Sequence, residues 1–151
     1  MTSSRRPPPS RIDFPWLVPL ETRWLDMDIY GHVNNVVYYS YFDTAIAHFL
    51  MGEAGLDPWR SPVVGFAVDS GCRFHTPLAF PDRIEAGLRV ARLGSSSCRY
   101  EIGIFKAGRE PAAADGHFVH VFVDRASQRP VPIPEPIRAA LARLLQPSPG
   151  S

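Results

Sequence analysis

The chain has 151 residues, 45% hydrophobic and 21% charged, and 16 Lys and Arg against 15 Asp and Glu leave a formal net charge of +1. That length suits one domain with its own core, held without disulfides or metal, and near-neutrality gives no extended electrostatic footprint for nucleic acid. No apolar run reaches the roughly 18 residues of a membrane-spanning helix, and two cysteines, Cys72 and Cys98, are too few for a disulfide scaffold.

A reduced, cytoplasmic chain is the expectation. The start, "MTSSRRPPPSR", is basic but has no apolar stretch behind it, so it does not read as a secretory signal. Residues 1–13 are expected as a disordered arm, 14–146 as one domain, and 147–151 ("PSPGS" at the end) as a flexible tail.

"WLVPLETRW" (Trp16 to Trp24) alternates loosely and favours a strand, with Pro19 suggesting an edge or a bulge. Next comes "DMDIYGHVNN", Asp26 to Asn35, a dense polar knot. The stretch Val36 to Gly52 predicts a helix, started by Asn34 or Asn35 as the cap and ended at Gly52. Its polar residues, Ser40, Asp43, Thr44 and His48, fall on one narrow stripe. A helix apolar around the rest of its circumference must be wrapped by other structure.

The remainder reads as strands. Ser61 to Pro77 predicts one long strand. In "DRIEAGLRVARLG", Ile84, Ala86, Leu88 and Val90 oppose Arg83, Glu85, Arg89 and Ala91. In "SSCRYEIGIFKAG", Cys98, Tyr100, Ile102 and Ile104 share a face. "GSSS" and "AGREP" are turn signals, "AAADGHFVHVFVD" is another strand, and "PEPIRAALARLL" is a short amphipathic helix. The order is strand, buried helix, then four strands joined by short turns, which favour antiparallel neighbours. A sheet curled around one helix leaves exposed edges, and pairing between subunits would cover them.

The knot joins the first strand to the start of the buried helix. Helix starts carry unpaired N–H groups and partial positive charge, suited to an anion or a developing oxyanion. Asp28 lies seven residues before Asn35. A carboxylate opposite such donors is what acyl transfer to water requires. Each residue also has a plainer reading. Asp26 and Asp28 could cap loops, Gly31 could supply a positive φ, His32 could be a hydrogen-bonded loop residue, and Asn34 and Asn35 could be caps. Asp43 could simply face solvent or a subunit interface.

"RWLDMDIYGHVNNVVYYSYFDTA" resembles the active-site segment of hotdog-fold acyl-CoA thioesterases of the 4-hydroxybenzoyl-CoA thioesterase-like family. "RFHTPLAFPDRIEAGLRVARLGSSSCRYEIGIF" is similar to that family's central strands, and "FVDRASQRPVPIP" to its last strand and tail. The resemblance spans roughly Leu17 to Leu145. It implies an α+β hotdog fold, an antiparallel β-sheet of about five strands wrapped around a central helix. It implies hydrolysis of an acyl-CoA, with Asp28 as general base or nucleophile and the backbone N–H near Asn35 polarising the carbonyl. It further implies a homodimer or homotetramer with sites at the dimer interface, and no cofactor, coenzyme A being part of the substrate.

Some relatives carry histidine or tyrosine where Asn35 stands. A neutral amide is no base, so the acid–base burden falls on Asp28. Asp43 is the second candidate carboxylate. Tyr38, Tyr41 and Phe42 are candidates for the acyl pocket, and His32 and Asn34 are candidates for substrate binding. Arg73, Arg92 and the Ser95–Ser97 turn, Ser96 and Ser97 included, are candidates for the coenzyme's diphosphate and pantetheine. His117 and His120 are three apart in a strand and point to opposite faces, so no metal site is expected. Three other readings keep the fold: a carrier-protein thioesterase, a dehydratase or hydratase using His48, and a module that binds acyl-CoA without turnover.

Overall fold

A computed structural model describes residues 6–146. The elements in chain order are β1 (Trp16–Glu21), α1 (Val37–Gly52), β2 (Val63–Phe74), β3 (Arg83–Leu93), β4 (Ser97–Lys106), β5 (Ala114–Asp124) and α2 (Glu135–Ala142). The five strands form one antiparallel sheet in the order β1-β3-β4-β5-β2. This is the hotdog arrangement that the resemblance implied.

One feature of the order corrects the short-turn reading. β2 is not beside β3, the next strand in sequence; it pairs with β5 from Val63↔Asp124 to Phe74↔Ala114. The 75–82 connection carries the chain from β2 past β5 and β4 to β3, one strand in from the opposite edge, and β1 and β2 are the two edges. Pro19, which has no N–H to give to a second neighbour, sits on β1 with its one partner strand β3.

The alternation read from the sequence sorts the two faces. Ile84, Ala86, Leu88 and Val90 of β3 and Cys98, Tyr100, Ile102 and Ile104 of β4 are all buried on the inner face. α1 lies against them with Tyr38, Tyr41, Phe42, Ala45, Ile46, Phe49 and Leu50 buried. Its stripe of Ser40, Asp43, Thr44 and His48 is exposed. Burying each large apolar side chain contributes about 1.5–3 kcal/mol, which outweighs the weak helix propensity of valine and tyrosine. Gly116 lets Phe42 reach the sheet, because a Cβ there would lie 2.7 Å from the ring. α2 closes the far end of this core through Ile137, Ala140 and Leu141.

The outer face differs from expectation. Residues 6–13, read as part of a disordered arm, lie against it; residues 1–5 and 147–151 fall outside the described residues. Arg11 pairs with Glu85 at 2.7 Å and Glu110 at 3.0 Å, and the Ala112 N–H donates to the Pro9 carbonyl at 2.9 Å. Phe14 then fills a slot floored by Gly87 and Gly103. Arg89, on the strand face that opposes the core, is buried rather than solvated: it pairs with Glu101 at 2.8 Å and lies over the Phe14 ring.

Candidate active site

The 26–35 segment folds as a tight loop. Met27 bridges Val33. The Asp28 N–H donates to the His32 carbonyl at 2.9 Å, and the Gly31 N–H to the Asp28 carbonyl at 3.1 Å. Gly31 takes φ 77°, a conformation that costs other residues more. The Val33 N–H donates to the Leu78 carbonyl at 2.7 Å and ties the loop to the connection after β2.

The helix start differs by one or two residues from the expected cap. Val36 occupies the N-cap position. Asn34 acts from further back: its Oδ1 accepts from the Val36 N–H at 3.1 Å and its carbonyl from the Val37 N–H at 2.9 Å. Asn35 stands exposed between them, and its N–H has no acceptor among the described residues.

A cavity of about 560 Å³ opens between this loop and the 74–77 segment. Asp28, His32, Asn34, Asn35 and Tyr38 all line it. One Asp28 oxygen, Oδ1, accepts from the Tyr30 N–H at 2.9 Å; the other has no partner among the described residues. The Tyr38 ring meets Phe74 edge-on at 5.1 Å, and burial pushes its hydroxyl up to about 12, so it stays protonated at neutral pH. The cavity is therefore lined by Asp28, which has one free carboxylate oxygen, by Asn35, whose backbone N–H is unpaired just before a helix start, and by aromatic rings.

The other candidates lie elsewhere in a single chain. Tyr41 is buried and its hydroxyl donates to Asp26 Oδ2 at 2.7 Å, so it points below the loop and not into the cavity. Arg73 is on the outer face, paired with Asp115 at 2.9 Å beside a second cavity of about 610 Å³ under Pro7–Pro9. Arg92 is exposed on β3 opposite Arg99. Ser96 lies in the β3–β4 turn and Ser97 opens β4, where it pairs with Val121 at the other end of the sheet from Ala114 and Phe74. Seven strand residues separate those ends, roughly 23 Å. Asp43 stands on the exposed stripe of α1, where partial burial raises its carboxyl above the usual range.

His75 is a lining residue the local sequence pattern did not single out. Its Nε2 lies 2.6 Å from Asp115 Oδ1. Phe74, Thr76 and Pro77 join it because β2 ends where the loop docks on Leu78. That is a long-range contact with no local signature. His117 and His120 do face opposite ways, toward Asp69 outside and Tyr100 inside. Both cysteines are free thiols, pushed up to about 12 by burial. Among the described residues, no group of three His, Cys, Asp or Glu could hold a metal ion, and no helix is long and apolar enough to cross a membrane.

Sheet and helix form the hotdog fold, and the chain belongs to the thioesterase-like superfamily, whose family model matches residues 22–141 and marks it as a thioester hydrolase. Among solved structures it is similar to the PA5185 protein of Pseudomonas aeruginosa strain PAO1, with 53% identity over 93% of this chain and 98% of that one and a TM-score of 0.91. It is also similar to the PA2801 protein of Pseudomonas aeruginosa, at 30% identity, 83% and 96% coverage and a TM-score of 0.78. The BH1999 gentisyl-coenzyme A thioesterase is a third, at 28% identity, 83% and 99% coverage and a TM-score of 0.74.

Proposed function

We propose that the protein hydrolyses an acyl-CoA thioester to a free acid and coenzyme A. The observation that carries this reading is that Asp28, with a free carboxylate oxygen, and Asn35, with an unpaired N–H, line one cavity. In the general-base route Asp28 takes a proton from water, and the resulting hydroxide adds to the thioester carbon. The carbonyl oxygen becomes an oxyanion that accepts from the Asn35 N–H. Collapse breaks the C–S bond, and the thiolate takes up the proton Asp28 received. In the nucleophilic route Asp28 attacks the carbon itself, the thiolate leaves, and water hydrolyses the mixed anhydride.

The space offered supports a compact acyl group. The underside of α1 is filled by Phe42, Ala45, Ile46 and Phe49, each at most 1% exposed. The acyl group then lies in the open cavity among Tyr30, Tyr38 and Phe74. The relative that acts on gentisyl-coenzyme A accords with a small aromatic acid.

A homodimer paired through β2 completes the site in this reading. Antiparallel pairing of two β2 edges brings the far end of one sheet toward the cavity of the other, and with it Arg92, Ser96 and Ser97. Those residues then contact the coenzyme across the interface. Thiol release from acetyl-, benzoyl- and palmitoyl-CoA, wild type beside Asp28→Asn, tests the assignment. Turnover with a loss of about 10²-fold or more in the variant supports it; equal rates remove Asp28 from the chemistry.

A further inference from the structure

The two carboxylates of the knot have different surroundings. Asp28 lines the cavity, whereas Asp26 is 1% exposed and does not. A buried carboxylate is costly unless its oxygens are satisfied. Those of Asp26 are. Oδ2 accepts from the Arg23 N–H at 2.8 Å and from the Tyr41 hydroxyl at 2.7 Å, and Oδ1 accepts from Arg23 Nε at 3.0 Å. Its carbonyl accepts from the Asn34 N–H at 2.9 Å.

These bonds converge from three places: the chain leaving β1, the body of α1, and the residue before Asn35. Among the described residues, the Tyr41–Asp26 bond is the one side-chain hydrogen bond from the 24–35 loop to the body of α1, the Asn34 side chain reaching only its N-cap residue Val36. The loop carries Asp28, and the entrance to α1 carries Asn35. A bond that ties loop to helix therefore sets the spacing of carboxylate and oxyanion donor. Misplacing reacting groups by about 1 Å can cost 10²-fold in rate, so this spacing is a quantity the fold must hold.

We propose that Asp26 and Tyr41 are a positioning pair for hydrolysis, acting through Asp28 and touching no substrate. The inference rests on the assignment of Asp28 and Asn35 made under Proposed function. It separates the roles of the paired aspartates: the first holds the loop, the second does the chemistry. It also gives Tyr41 a role other than lining the acyl site.

Tyr41→Phe is the cleanest probe, since it keeps the ring that packs on Tyr38 and removes only the donor. Steady-state hydrolysis of the best substrate among acetyl-, benzoyl- and palmitoyl-CoA is measured for wild type, Y41F, D28N and the double variant, with thermal unfolding beside it. The expected result is a kcat for Y41F lower by about tenfold or more, with KM within about twofold. In the D28N background Y41F should then cost nothing further, because residues that act through one another are not additive. Arg23→Gln, at a mostly exposed side chain that also donates to Asp26, is the second variant and should lower kcat in the same way. A slow D28N beside Y41F and R23Q at wild-type kcat overturns the positioning role alone. So does a Y41F loss of equal size in both backgrounds, which marks a merely structural effect. A D28N protein at wild-type kcat overturns the assignment of Asp28, and the positioning role with it.

Discussion

The Tyr100 hydroxyl and His120 Nδ1 lie 3.1 Å apart inside the core, on neighbouring strands β4 and β5. Burial lowers the His120 pKa from its ordinary 6.5 to about 4. The unfolded chain therefore binds a proton at this residue before the folded one does. Stability from the neutral imidazole is complete above about pH 6.5 and is lost as pH falls toward about 4, by about 3 kcal/mol at most. Urea unfolding at pH 7, 6, 5 and 4.5 should show that decline, and His120→Gln should flatten it. A variant with the wild-type slope would assign the decline to other groups.

A compact acyl group should be preferred. Under the packed face of α1, Phe42 and Ala45 leave no exposed surface for a chain to follow. Benzoyl-CoA should exceed palmitoyl-CoA in kcat/KM by about tenfold or more, since a few unaccommodated methylenes are worth 1–3 kcal/mol. Equal or better use of palmitoyl-CoA would mean that a second subunit, or movement of α1, creates the missing room.

β2 is an edge strand with Phe66 41% exposed and Val68 59% exposed near its middle. Unpaired edges of this kind invite pairing, and a charge placed there opposes it. Light scattering should report a dimer or larger assembly for the wild type and a smaller species for Val68→Lys, with thioesterase activity falling in parallel. A wild-type monomer with full activity would remove the shared-site reading.

The docking of residues 6–14 on the outer face can be tested at Gly87, where a Cβ would lie 2.6 Å from the Phe14 ring. Gly87→Ala should displace Phe14 and lower stability by about 1–3 kcal/mol, the usual cost of overpacking. Gly55→Ala, where nothing lies within 4 Å but φ is +72°, serves as the comparison for backbone strain without a clash. A Gly87→Ala protein of unchanged stability would mean that the slot relaxes freely.

Much of this was written locally. Period-two alternation marked the inner faces of β3 and β4, because one face of each strand is buried and the other carries charge. The apolar sweep of α1 marked it as a buried helix, and its four polar residues marked the stripe left uncovered. The density of polar residues from Asp26 to Asn35 marked where chemistry belongs. All these signals depend on neighbours within a few residues, which is what a sequence pattern records.

Only the tertiary structure decided the rest. Proline-rich residues 7–13 lack any apolar periodicity, so their docking depends on partners as distant as Glu85, Glu110 and Ala112. Tyr38 and Tyr41, three residues apart on α1, read alike as cavity-lining aromatics, yet one lines the cavity and the other meets Asp26. His75 reached the cavity wall because β2 crosses to the far edge and pairs with β5, a choice made by the fold as a whole. Local composition settled which segments are buried and which are reactive. Which side chains meet was settled by strand order and by hydrogen bonds that join residues far apart in the chain.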